Sequence, residues 1–203
     1  MYKFIDYLLR LLVCSVILLN LANAQSDQVV RIRGSVIEVK DNNIIFKERA
    51  GEVISIAFGD SLNIQEVYPI SMSNIERNSF IGTAALADKT GRLIALEVHV
   101  FPESMRGTGE GHRAWDSVPG STMTNANVDE LISVGNSREL RLKYKGGEKI
   151  VFVPESVPVV TYKPGSTDLL VPGANAIITA SDKSGRPTAS RIVIGRDSFK
   201  PPM

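Results

Sequence analysis

Lys47-Glu-Arg-Ala-Gly51-Glu52-Val-Ile54-Ser-Ile56 returns further along the chain as Lys143-Tyr-Lys-Gly-Gly147-Glu148-Lys-Ile150-Val-Phe152. Two more correspondences follow in the same order. Asp88-Lys89-Thr-Gly91-Arg92 matches Asp182-Lys183-Ser-Gly185-Arg186, and Ala95-Leu-Glu-Val98-His-Val100 matches Ala189-Ser-Arg-Ile192-Val-Ile194. The offsets are 96, 94 and 94 positions. One series of elements therefore occurs twice, and a repeat of this kind constrains the fold before any single residue does.

The repeated elements read as strands. Apolar and basic residues alternate in Leu140-Arg-Leu142-Lys-Tyr144-Lys, as a strand with one wet face requires. Ile54, Ile56 and Phe58 alternate with Val53, Ser55 and Ala57. Glycine in Arg49-Ala-Gly51 and Lys145-Gly-Gly147 supplies the positive φ of a hairpin turn. Asp88 to Gly91 and Asp182 to Gly185 make a second hairpin in each unit. The spacing predicts Ile54, Ile56, Val98, Ile150, Phe152 and Ile192 on the inward face.

In the first strand Val30, Ile32 and Val36 point one way, while Ile37 and Val39 continue the apolar pattern on the other face. This change of phase beside Gly34 predicts a bulge or bend, and a bent strand can serve two sheets and close a small barrel. Ala126 is the matching position in the second unit. A short helical turn precedes each second hairpin. Ser73-Asn-Ile-Glu76 fits a capping box, and Thr167 to Leu170 is bracketed by Pro164-Gly165 and Pro172-Gly173. The expected fold is all-β: two tandem five- to six-stranded OB-like barrels, at 25–101 and 122–203, joined by a Gly-rich linker at 102–121. An SH3-like barrel or one continuous sandwich is the rival.

The start of the chain reads as a targeting segment. Lys3 and Arg10 flank a run into Leu11-Leu-Val-Cys14-Ser-Val-Ile-Leu-Leu, which ends at Ala22-Asn23-Ala24. This is the pattern of a secretory signal peptide over 1–24, cut after Ala24. An uncleaved anchor is the alternative. Cleavage removes Cys14, the one cysteine, so the mature chain has no disulfide and no thiol nucleophile. It leaves 21 basic and 21 acidic residues, a balance that argues against a dedicated nucleic-acid binder. No later segment is apolar enough to span a membrane. The expected location is the periplasm or the secreted fraction.

The bent Gly-containing strand, the Gly-Glu hairpin, the Pro-Gly-flanked turn and Asp-x-x-Gly-Arg-x-x-Ala together resemble bacterial exported β-barrel domains grouped as a domain-of-unknown-function family. The tract from Glu97 to Arg113 looks like the segment between the two halves in one proteobacterial branch. The resemblance covers nearly all of the mature chain and implies a fold and a compartment, with no catalytic residues to carry over. The chain departs from the pattern at Val67 to Ser71, where Pro69-Ile70 stands in place of Pro-Gly.

Candidate chemistry gathers around the linker. Glu97 and His99 lie two apart on one strand face, and Glu110 and His112 follow, so two imidazoles and a carboxylate could hold a divalent metal. The plain alternative is a solvent-facing Glu-His pair. Arg106 and Arg113 are interleaved with Gly107, Gly109 and Gly111, a composition suited to anion binding or to a flexible tether. Trp115 is out of place in a tether, because large aromatics bury most of their surface, and it is expected to dock between the barrels. No Gly-x-Ser-x-Gly elbow is present, and no His stands near a plausible Ser-Asp pair. The sequence therefore predicts a non-enzymatic binding or structural protein, without cofactor, whose partner is an envelope protein or an anionic ligand. A periplasmic metal-binding protein is the alternative.

Overall fold

The computed structural model describes residues 28–182 and 185–202. The signal segment read at 1–24 lies outside the described residues. Period-two alternation gives strands throughout: β1 (Gln28–Lys40), β2 (Asn43–Glu48), β3 (Val53–Pro69), β4 (Phe80–Ala87), β5 (Leu93–Val100), β6 (Gly111–Ala114), β7 (Thr122–Val134), β8 (Ser137–Tyr144), β9 (Gly147–Val153), β10 (Val159–Pro164), β11 (Asn175–Asp182) and β12 (Pro187–Gly195). Helical structure among the described residues is confined to 3-10 turns at Met72–Asn74, Glu103–Met105 and Thr167–Leu169. The first is capped by the Ser71 side chain, which accepts from Ser73 N, so the cap lies two residues before the Ser73 box expected. No helix of the described residues is long and apolar enough to cross a membrane.

The bend in β1 organises the first half of the molecule. Gln28 to Ser35 pair with β11, and Gly34 to Lys40 pair with β2, so the two ladders overlap at Gly34 and Ser35. A register shift follows between Val36 and Glu38. β7 does the same with β4 and β8, and shifts between Val128 and Glu130.

Strand pairing closes the fold in a way the repeat does not announce. β1, β2, β3, β12 and β11 form a closed five-stranded barrel, sealed by the parallel pair β3–β12. β7, β8, β9, β5 and β4 form a second ring of the same connectivity, sealed by a short parallel contact of Leu93 with Val151 and Ile94 with Phe152. The expected division into barrels at 25–101 and 122–203 is therefore corrected. Each ring takes three strands from one half of the chain and a hairpin from the other. β10 lies between the rings, antiparallel to β3 and parallel to β5, and all the strands belong to one continuous sheet.

The cores follow the rings. The first gathers Ile32, Val36, Ile44, Phe46 and Ile56 with Ile178, Ile192 and Ile194 from the other end of the chain. The second gathers Leu140, Leu142, Val151 and Val153 with Ile81, Ala95 and Val98. A third, smaller cluster of Val67, Val160, Tyr162, Ile177 and Val193 sits at the junction, with Phe101 packed on it. Ile56, Val98 and Ile192 face inward as expected, and Ile54 packs against its core from a half-buried position. Ile150 and Phe152 do not: Ile150 is 47% exposed, Phe152 is half-buried outside the core, and Val151 and Val153, which alternate with them, fill the second ring. The last strand pair before the β8–β9 turn, Tyr144 with Gly147, encloses two residues, with Gly146 at φ +97°, whereas Lys47 with Val53 encloses five in the first unit, an odd difference that exchanges the two faces. That difference displaces the sequence alignment and turns Ile150 outward.

Glu66 of β3 ties the junction together. It is 3% exposed, accepts from Arg196 Nη2 at 2.8 Å and Nε at 3.1 Å, and meets Lys163 Nζ at 3.1 Å. The Arg196 hydrogen bonds hold its pKa below the ordinary 4.5, against burial, and Lys163 adds to them. A carboxylate with a depressed folded pKa stabilises fully above its unfolded value and loses that contribution as pH falls through the folded one. Glu66→Gln is therefore expected to lower Tm at pH 7 and to flatten the acid limb of Tm against pH. Parallel acid limbs in the two proteins would remove this role.

Candidate functional site

The two rings leave a cleft of about 380 Å³ at their junction. β1 contributes Arg31 and Arg33, β12 contributes Ser190 and Arg191, and β10 contributes Tyr162. On the opposite wall stand Gly82, His99, Phe101 and Asn125, and the 108–115 segment covers one side with Gly109, Arg113 and Trp115. Strand alternation explains the arginines: Ile32 is buried in the first ring, so Arg31 and Arg33, one residue to either side, project from the outer face. Gly82 opens the floor. A Cβ there would lie 2.8 Å from Asn125 Oδ1 and 3.0 Å from the Phe101 ring.

The segment read as a linker is structured. β6 pairs with β7, setting His112 opposite Thr124 and Arg113 opposite Met123. Asn125 Nδ2 donates to Thr108 O at 2.8 Å. Glu110 Oε1 accepts from Lys145 N at 2.8 Å, and Arg113 Nη1 donates to Gly109 O at 2.7 Å. Gly109 has φ +55°, and a Cβ on it would approach Asn125 Nδ2 to 3.2 Å. Trp115 is half-buried, with the Arg31 guanidinium 4.3 Å and that of Arg113 5.4 Å from its ring. Cation–π contact of this sort is worth about 0.5–2 kcal/mol. Trp115 thus docks the segment onto the first ring while β6 holds it to the second.

The residues proposed for a metal do not come together. His99 lines the cleft. His112 precedes Arg113 on β6, so the two side chains point to opposite faces. Its Nδ1 is 2.8 Å from Thr124 Oγ1, and burial, then Lys149 and Arg113, push its pKa below the ordinary 6.5. Glu110 is engaged with Lys145 N. Among the described residues no three His, Cys, Asp or Glu side chains are grouped to hold a metal ion. Glu97 and His99 do share a face, but they are not the solvent-facing pair of the plain alternative either: each is 1% exposed.

The anion candidates divide. Arg106 lies outside the cleft lining, and its donors are engaged: Nε and Nη2 with Glu103 at 2.6 and 2.7 Å, Nη2 with Asn78 O at 3.0 Å and Nη1 with Asn127 Oδ1. Arg113 and Trp115 line the cleft. Arg31, Arg33, Asn125, Tyr162 and Arg191 were not singled out from the sequence. The alternation Arg31-Ile32-Arg33 was the available signal for two of them. Arg33 is already paired with a carboxylate: Nη2 donates to Asp116 Oδ1 at 2.8 Å and Nη1 to Oδ2 at 3.3 Å, with Arg31 Nη1 at 3.6 Å from Oδ2.

The cleft also concentrates unsatisfied polar atoms. Eight buried side-chain N or O atoms of the described residues lack a hydrogen-bond partner in the protein, and five belong to its lining: Arg33 Nε, His99 Nε2, Trp115 Nε1, Asn125 Oδ1 and Arg191 Nε. Glu97 Oε1, also unpartnered, belongs to a residue outside that lining and is 3.6 Å from His99 Nε2, beyond hydrogen-bonding range. Tyr162 is hydrogen-bonded to His99 Nδ1. Burial raises the Tyr162 pKa far above the usual phenol value, so its hydroxyl is protonated. With that hydroxyl as donor, Nδ1 accepts and the ring proton lies on Nε2. Orphaned buried groups are few in native proteins and each calls for a partner.

Comparison of the chain with protein-family models, with curated proteins and with solved structures finds no significant match.

Proposed function

We propose that the protein is an exported, non-enzymatic binding protein that takes a small anionic ligand in the cleft between its rings. The strand order 1-2-3-5-4 of each ring, with a parallel closing pair, is that of an OB-like barrel. On this reading the two are repeated units that have exchanged their last hairpins. The signal-like start at 1–24 and the resemblance to exported β-barrel domains support a periplasmic or secreted location. The observation that carries the binding role is the clustering of unpartnered buried donors, among four arginines, around one concave space. Pockets with apolar walls and a few converging polar groups are where small ligands bind, and guanidinium groups match carboxylate and phosphate geometry.

Trp115 is the single tryptophan of the chain and lines this cleft, so its emission reports occupancy. Titration with 4-methylpentanoate and, separately, with inorganic phosphate is expected to give a saturable change for at least one of them. Arg33→Met is expected to weaken the responding anion at least tenfold. A flat titration with both anions would overturn the assignment.

A further inference from the structure

The unpartnered atoms around the cleft are of two kinds. Arg33 Nε, Arg191 Nε, Trp115 Nε1 and His99 Nε2 are donors, and they call for an acceptor. Asn125 Oδ1 and Glu97 Oε1 are acceptors, and they call for a donor. A simple anion satisfies only the first set. Glu97 lies outside the cleft lining, beside His99. It is buried to 1% exposure, its Oε1 receives no hydrogen bond, and among the described residues the basic side chain that approaches it is His99, out of bonding range at 3.6 Å. An isolated buried carboxylate is costly unless a cation or a strong donor reaches it.

Resting on the anion-binding reading, we propose that the ligand class is a small apolar amino carboxylate. Its carboxylate faces the arginines and its ammonium faces Asn125 Oδ1, in the field of Glu97. The carboxylate half of this assignment has a precedent within the molecule: Asp116, on an exposed loop, already sits end-on against Arg33 with Arg31 beside it. A free carboxylate competes for the same fork by displacing that loop side chain. The ligand's body meets Phe101, Ile177 and Val193, which are apolar lining residues. A space of 380 Å³ holds on the order of ten non-hydrogen atoms at about 30 Å³ per water-sized group, which suits a single amino acid.

Three probes of one shape separate the two ends: L-leucine, 4-methylpentanoate, which lacks the ammonium, and 3-methylbutylamine, which lacks the carboxylate. Trp115 emission is read for each, with inorganic phosphate as a fourth arm. Leucine is expected to bind at least tenfold tighter than either analogue. Glu97→Gln is expected to erase that preference over 4-methylpentanoate while leaving the binding of the latter within about threefold. A thermal melt establishes that the variant folds, and if it does not, the wild-type series decides alone. Equal affinity for leucine and 4-methylpentanoate, or a response to phosphate alone, would overturn the amino carboxylate and leave the anion site standing. Silence to all four probes would overturn both.

Discussion

Neither half of the chain is expected to fold alone. A fragment of residues 25–121 and one of 122–203, each expressed separately, should show no cooperative melt, and mixing them should restore one. The reason lies in the pairing. The first barrel needs β11 and β12, which lie after residue 174, to cover β1 over Gln28–Ser35 and β3 over Ala57–Val67. Without them Ile178, Ile192 and Ile194 leave the core formed with Phe46 and Ile56. Each fully buried side chain of this size contributes about 1.5–3 kcal/mol, so three of them amount to a large part of the roughly 5–15 kcal/mol that holds a domain folded. The fragment has a substitute hairpin in β4–β5, but that hairpin offers Val98 and Val100 where the barrel has Ile192 and Ile194. Each Ile-to-Val exchange costs about 0.5–1.5 kcal/mol. The sheet surface against β10 would be lost as well. A sharp, reversible melt of the 25–121 fragment by itself would show that the hairpins close within each half, as the linear order of the repeat suggests.

That contrast shows what the sequence disclosed. Alternation reports which side chains share a face, and it placed the strands, the bend at Gly34 and the inward positions of Ile56, Val98 and Ile192. It also placed the turn at Asp88, whose Oδ1 accepts from Thr90 N, Thr90 Oγ1 and Arg92 N. Alternation does not report partners. The hairpins β4–β5 and β11–β12 carry nearly the same pattern, Asp-x-x-Gly-Arg included, so nothing local says which ring each one closes. The site suffered for the same reason. Trp115 and Arg113 stood out because they are conspicuous in a glycine-rich stretch. Arg31, Arg33, Tyr162 and Arg191 come from strands that meet only when the hairpins are exchanged. Arg106 looked equally available, but Glu103, three residues before it, had already claimed its guanidinium.

Gly34→Ala is expected to destabilise the protein by more than about 3 kcal/mol, beyond the usual 1–3 kcal/mol of overpacking. Gly34 is where β1 leaves one ladder for the other, facing Ala176 on one side and Glu48 on the other. A Cβ at this position would stand 2.0 Å from Lys47 O and 2.9 Å from Glu48 Cα. Both are backbone atoms, so no side-chain rotation relieves the overlap, and β1 and β2 must part. Separation there disturbs the barrel seam and also shifts Arg33, the residue before it, out of the cleft. Gly59 of β3 supplies the control. Nothing lies within 4 Å of a Cβ built on it, and its φ is not positive, so Gly59→Ala should change stability by less than about 1 kcal/mol, in the direction of a gain from the stiffer unfolded chain. Chemical denaturation of both variants, with Trp115 emission as the probe, reads the two effects on one scale. Midpoints for the two that coincide would mean that β1 and β2 do not approach this closely, and the bend would then need another cause.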